Sequence, residues 1–383
     1  MRFSTLLFTL SAFALPNNFC LGEEQNLRGL IFSGDESSSD EDQFLDRIQY
    51  PYDSWLPAED SEDPAQRLFI PSLSQPFYNN VIDVRATVSA KNVTLIVSTA
   101  GNWQFALTKL LEQKYFPENP AVQDSYLVTT SPPISVRQFF TGQLKVGNIL
   151  YKDAKPHIAI GPKPLMDFLA SKSIREETAI PFVSNYGNVI LKLKGNNKIN
   201  SFADLKKIKP GRFASSSPAE GATNNYRNSI KNIIMNQPEI IGATEATKEQ
   251  EANDLLAQLF DEAGVATIGP PMHQSVPHVL ATGQADAGLM FLELAVRIMT
   301  NNPGVFEAIY LANDKIGMTD DPVVLAQGQD PLAGNVVVTM FVTKMTTEVS
   351  ATQAAAGDAF IAALQSPEFE TILAQSGLRP SLI

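Results

Sequence analysis

The sequence predicts an α/β protein of mostly parallel sheets covered by helices, and three observations carry that reading. From Val93 onward, short β-branched or apolar runs alternate with segments of helical spacing. Four of these runs break into small polar residues just before a helix opens, at residues 98–102, 129–133, 215–223 and 273–277. Finally, 44% of the 383 residues are hydrophobic, enough for two cores of ordinary size.

Each element follows from local pattern. The β-branched run Val93-Thr94-Leu95-Ile96-Val97 predicts a strand, and residues 103–115 a helix with Phe105, Leu107, Leu110 and Leu111 on one side. Residues 125–130 read as a strand and 134–144 as a helix. A short buried-type strand at 157–161 precedes a helix at 165–171, and 188–193 is a longer strand. The second half repeats the alternation. Ser201 caps a short helix over 201–205, 211–214 is a strand, and 222–235 a helix. Polar residues 236–253 predict an exposed excursion before helices at 254–263 and 276–282. A strand at 287–291 enters a helix at 293–299, 335–343 is a strand, and helices at 351–364 and 367–376 close the chain.

The N-terminal region has a different character. Arg2, the apolar stretch 6–15 and the small residues around Cys20-Leu21-Gly22 read as a secretory signal over 1–22. A lipid anchor at Cys20 is disfavoured, because Asn17-Asn18-Phe19 makes a poor lipidation site. Cys20 is the only cysteine, so cleavage after Gly22 leaves no thiol for a disulfide, a nucleophile or a thiolate metal site. The three histidines, His157, His273 and His278, leave little room for a histidine metal centre, and no metal or cofactor is expected.

The net charge of −12 is unevenly spread. Residues 23–92 hold 14 acidic against 5 basic side chains, whereas residues 93–383 hold 27 against 23. Without a basic patch to displace counterions, nucleic-acid binding is disfavoured. The extension at 23–90 is Ser-, Asp-, Glu- and Pro-rich, and its acidic run at 35–42 has two readings. One is a solvated, partly disordered leader; the other is Ca²⁺ chelation, for which the run lacks the Gly and terminal Glu of a calcium loop. Aromatic residues between 49 and 80 point to packing along the body.

Five stretches in order resemble the solute-binding proteins of ABC importers, specifically the molybdate-binding type. They are VTLIVSTAGNWQFAL, TTSPPISVRQFFTGQ with KPHIAIGPKPLMDFL, PGRFASSSPAEGATNNYRNSI, ATGQADAGLMF and SPEFETILAQSGLRP. The resemblance covers residues 93–383 and not the extension. It implies the type II periplasmic-binding fold: two α/β lobes, two crossover strands and a ligand clamped between the lobes. Transferred here, lobe 1 is 93–187 plus 330–383 and lobe 2 is 188–329, with hinges near 188–193 and 335–343. It also implies a periplasmic location, a small anionic solute, an ABC permease in the inner membrane as partner, and a monomer.

By position, the family's ligand contacts fall at Ser98 or Thr99, at Ser131, at Thr223 through its N–H, and at Ser275 and Val276. A tetrahedral oxyanion offers only acceptors, so each contact must be a donor. The alternative for each hydroxyl is a plain helix cap. Three departures stand out: Phe291 replaces a Tyr whose hydroxyl donates to the oxyanion, Pro132-Pro133 replace donors, and Glu293 introduces a carboxylate. They put molybdate itself in question and leave another oxyanion, or a larger or metal-bearing ligand, open. His273 and Glu293 are expected either to form a pair that binds a ligand amine, a metal or a protonated oxyanion, or to remain apart, His273 then being partly exposed. Arg137 and Arg227 lie on helices just past two junctions, facing cleft or solvent.

Two other functions remain. The acidic extension fits a surface or interaction protein that kept the fold. An enzyme on this fold is the weaker reading, since the chain holds no G-x-S-x-G, H-E-x-x-H or Walker loop and no catalytic residue is assigned.

Overall fold

The structure, a computed structural model, describes residues 68–69, 82–85, 93–129, 138–142, 144–146, 149–151, 153–176, 178–215, 221–260, 265–266, 275–313, 316–327 and 330–381. The expected signal segment and the acidic run lie outside these residues.

Along the chain, β1 (Leu68–Phe69) and β2 (Ile82–Arg85) precede β3 (Leu95–Thr99) and α1 (Gln104–Leu110), which runs on through a π turn at Leu111–Tyr115. Next come β4 (Tyr126–Thr129), β5 (Leu144–Val146), β6 (Ile149–Tyr151), β7 (Ile158–Pro162), α2 (Lys163–Ser171) and β8 (Ile180–Asn185). The middle of the chain supplies β9 (Asn188–Leu193), β10 (Phe213–Ala214), α3 (Gly221–Asn236), α4 (Lys248–Phe260), β11 (Val265–Ala266) and α5 (Ser275–Ala281). It continues with β12 (Ala287–Phe291), α6 (Leu292–Asn301), β13 (Phe306–Leu311), β14 (Ile316–Thr319) and α7 (Pro322–Ala326). The chain then returns through β15 (Thr339–Lys344), α8 (Ala351–Leu364), α9 (Pro367–Ala374) and β16 (Leu378–Pro380).

Two sheets organise these elements into a two-lobed α/β fold. The first has the order β1-β2-β4-β3-β7-β15-β8-β16, the second β11-β10-β12-β9-β13-β14. Each has its own core. In the first, Leu95 and Val97 pack with Trp103, Tyr115, Phe360 and Phe369; in the second, Ile190 and Leu289 pack with Phe213, Tyr226 and Ile233. The sheets are mixed rather than mostly parallel. Pairs β4–β3–β7 and β11–β10–β12 are parallel, while β9 and β15 run against their neighbours. The cause is topological, because a strand entered from the other lobe arrives at the opposite end of the sheet.

Those entries are bound to each other. The chain leaves β8 through Tyr186-Gly187, where Gly187 adopts φ +79° and a Cβ would stand 2.6 Å from Asn335 Cγ. Asn335 Oδ1 accepts from the Asn188 N–H at 2.8 Å, and its Nδ2 donates to the Asn188 carbonyl at 3.0 Å. Asn185 Oδ1 accepts from the Val338 N–H at 2.9 Å. Side-chain amides thus close backbone hydrogen bonds that neither sheet can supply at the crossing.

Three expectations fail locally. The helix read at 134–144 is helical at 138–141 among the described residues, and Leu144 already belongs to β5, which pairs with β6. The apolar runs flanking Gly147-Asn148 were a hairpin signal. Residues 248–253, read as exposed excursion, form the first half of α4. Strands β1 and β2 lie ahead of Val93, where the ordered body was expected to start, and β2 pairs antiparallel with β4.

Candidate functional site

Strand register gathers the polar junctions. In the first sheet Ser98 on β3 lies opposite Thr129 on the parallel β4, so the first two junctions leave the sheet side by side. In the second, Ala214 lies opposite both Ala266 and Gly288, so the chains leaving β10, β11 and β12 emerge at one end. Antiparallel pairing of Phe291 with Asn188 puts the start of β9, where the chain enters this sheet, at that same end. These are the carboxyl ends of parallel strands, where open α/β sheets hold their ligands. The two sets of strand ends touch: Asn102 Nδ2, in the loop after β3, donates to Glu293 Oε1, in the first turn of α6, at 3.0 Å.

Ser98 and Thr99 separate cleanly. Alternation along β3 sends Thr99 to the same side as Leu95 and Val97, toward Trp103. There its Oγ1 accepts from Trp103 Nε1 at 2.8 Å and donates to the Ala100 carbonyl at 3.2 Å. Ser98 faces the other way, is 1% exposed, and its Oγ meets no hydrogen-bond partner among the described residues. Ser215, just past β10, is 0% exposed with its Oγ in the same condition. A buried hydroxyl left unpaired costs about 1–3 kcal/mol, which sets these two apart from the satisfied hydroxyl of Thr99.

The other expected residues are distributed as follows. Thr223 is buried in the first turn of α3, and Val276 is buried in α5. Gly288 lets α5 approach, since a Cβ there would stand 2.7 Å from Val276 Cγ1 and 2.6 Å from the Ala214 carbonyl. Phe291 is buried at the end of β12, its ring 5.2 Å from that of Tyr226 on α3. Ser275 opens α5, but its side chain lies outside the described residues, as do Ser131, His273 and Arg137 entirely. Arg227 stacks its guanidinium 5.3 Å from the Phe260 ring, a contact between α3 and α4 rather than one in the cleft.

Glu293 is 3% exposed and lies in the first turn of the ten-residue α6. Its described partner is Asn102, from the opposite lobe, a residue the sequence reading had placed in a junction without assigning it a role. Arg297, one turn along α6 on the same face, was not anticipated either, although the i, i+4 spacing announces it. It is buried, and desolvation lowers its pKa to about 10, so it stays cationic at neutral pH. Among the described residues, no group of three or more His, Cys, Asp or Glu is arranged to hold a metal, and no helix is long and apolar enough to cross a membrane.

The structure thus brings buried polar groups of both sheets to strand ends that meet at the join of a two-lobed α/β fold. Residues 132–379 match the family described as bacterial extracellular solute-binding protein; that span is more than half the chain, and the chain belongs to this family. No curated protein matches the chain in sequence. Among solved structures, it is similar to the periplasmic molybdate-binding protein of Azotobacter vinelandii, at 14% identity and a TM-score of 0.45, covering 76% of this chain and 99% of that one. It is likewise similar to the sulfate-binding protein SubI of Mycobacterium tuberculosis, at 14% identity and a TM-score of 0.47, covering 75% and 86%. A third is Peb3 from Campylobacter jejuni, at 17% identity and a TM-score of 0.43, covering 74% and 99%.

Proposed function

We propose that the chain is exported, captures a small anion between its lobes, and delivers it to an ABC permease without chemical conversion. The observation that carries the reading is the pair of fully buried, unpartnered hydroxyls of Ser98 and Ser215 at facing strand ends. Ser98, not Thr99, is then the ligand contact of the first junction, because the Thr99 hydroxyl already donates and accepts. Ser131, the backbone of Thr223, Ser275 and Val276, and His273 complete the candidate set around the anion. Amide dipoles at the helix starts supply positive potential to the candidate site.

A thermal-shift series with sulfate, molybdate, tungstate and phosphate tests the reading, followed by calorimetry on any ion that stabilises the protein. At 100 times its dissociation constant a ligand adds about 2.7 kcal/mol to stability. No stabilisation by any anion in the series would overturn the proposal. Ser98→Ala and Ser131→Ala each weaken a bound anion by about tenfold or more, the value of a charge-assisted hydrogen bond. N-terminal sequencing of the exported protein is expected to begin at Glu23.

A further inference from the structure

We infer that α6 of the second lobe is seated on the first lobe by contacts that involve no ligand, and that this seat sets the fraction of time the two sets of strand ends face each other. Residues 292–299 of α6 are all buried. A helix covered all along its length needs neighbours beyond its own sheet. The first sheet and its loops supply two of them. Gly377, in the turn between α9 and β16, adopts φ +70°, and a Cβ there would stand 2.8 Å from Leu292 Cδ2, 2.9 Å from Val296 Cγ2 and 3.4 Å from Glu293 Cα. Glycine combines this turn with so close an approach at no steric cost. Asn102, in the loop after β3, donates to Glu293 Oε1 at 3.0 Å, and both side chains are buried.

The seat is placed to act on the crossing between the sheets. The Leu292 N–H donates to the Gly187 carbonyl at 3.0 Å, so the start of α6 is bonded to the peptide through which the chain passes from β8 to β9. Rotation of the lobes about that peptide parts Asn102 from Glu293. The bond between them is charge-assisted and buried, which makes it stronger than a neutral pair in water. Glu293 also interacts elsewhere, whereas the Asn102 side chain makes this bond alone among the described residues. Asn102 is therefore the residue through which the seat can be loosened without disturbing α6 itself. An anion held between the lobes binds only the arrangement with facing strand ends, so its apparent affinity scales with the population of that arrangement. A residue acting through the seat changes the affinity of every anion by one factor, unlike a residue that touches the ligand.

The test combines small-angle X-ray scattering of the full chain without added anion and calorimetry against sodium sulfate, molybdate and phosphate, for wild type, Asn102→Ala and Asn102→Asp. Alanine removes the bond, and aspartate sets one acceptor against another. The radius of gyration is expected to rise from wild type to Asn102→Ala to Asn102→Asp. Affinity for each ion falls by a common factor, about threefold or more in Asn102→Ala and about tenfold or more in Asn102→Asp, with the ratios among ions unchanged. Unchanged scattering in both variants overturns the inference. So does a loss that differs about tenfold between ions, because Asn102 would then touch the ligand. If Asn102→Asp does not fold, Asn102→Ala decides by the same readings. The affinity measurements alone rest on the anion-capture reading: if no ion binds any of the three proteins, that reading fails, and scattering decides the seat by itself.

Discussion

At the scale of single residues, adjacent hydroxyls on β3 carry opposite expectations. Thr99→Val removes the acceptor of Trp103 Nε1 while keeping shape, leaving a buried donor unpaired in the first core. That change costs about 1–3 kcal/mol of stability by urea unfolding, with little direct effect on anion affinity. Ser98→Ala removes a hydroxyl that has no described partner, so stability holds or rises while anion binding weakens. A Thr99→Val protein as stable as wild type, or a Ser98→Ala protein that loses stability but not affinity, would reverse the assignment. The sequence presented the two as alternatives because both are small hydroxyls at a strand end. Only the side of β3 that packs on Trp103 distinguishes them, and that is set by a helix packed on the sheet, not by the strand itself. Glu293 was readable as a departure from the family pattern. Its partner was not, because Asn102 and Glu293 are 191 positions apart and meet only when the lobes do.

At the scale of elements, the join between β3 and β7 carries a pH dependence. His157, just before β7, donates its backbone N–H to the Ile96 carbonyl at 2.9 Å, and its Nδ1 accepts from the Ile96 N–H at 3.3 Å. Burial lowers its pKa to about 4, against about 6.5 in an unfolded chain. Above pH 6.5 neither state binds the proton and this contribution is fully present. As pH falls from 6.5 toward 4 the unfolded chain takes up a proton that the native state refuses, so stability declines, by up to about 3 kcal/mol. Urea unfolding at pH 7.5, 6 and 4.5 measures the slope, which His157→Gln reduces; an equal slope in the variant would remove His157 as its source. Elements whose pattern is purely local were legible, and β9 and α8 occupy the residues expected of them. Those hidden from the pattern were strands made by distant pairing. Pro181 interrupts the run of β8, and β16 has three residues that become a strand only beside β8.

At the scale of the molecule, the alternation of strands and helices and the order of five motifs were enough to reach a two-lobed α/β fold, because each lobe repeats a local unit. The mixed direction of the sheets was not legible, since it depends on where the chain crosses between lobes. One contact at that crossing leads to a further expectation. Arg379 on β16, paired opposite Ser184 of β8, sets its guanidinium 4.7 Å from the ring of Tyr186, between β8 and β9. Its Nη1 reaches Asp330 Oδ1 at 3.3 Å, and the Asp330 carbonyl accepts from the Asn313 N–H, just past β13. A cation on the first sheet is thereby held against the crossing and, through Asp330, against the end of β13 in the second sheet. The ring contact is mostly shielded from water and contributes about 1–2 kcal/mol, whereas the exposed Asp330 adds under about 1 kcal/mol. Asp330→Asn is therefore expected to be close to silent. Arg379→Ala loosens the crossing, seen as faster amide hydrogen exchange at Asn185 and Asn188 and as weaker anion affinity with no change at the strand-end hydroxyls. Affinity falls because a cleft that spends less time assembled binds in proportion to the assembled fraction. Unaltered exchange at Asn185 and Asn188 in Arg379→Ala, or an equal effect from Asp330→Asn, would show that the ring contact of Arg379 does not hold the crossing.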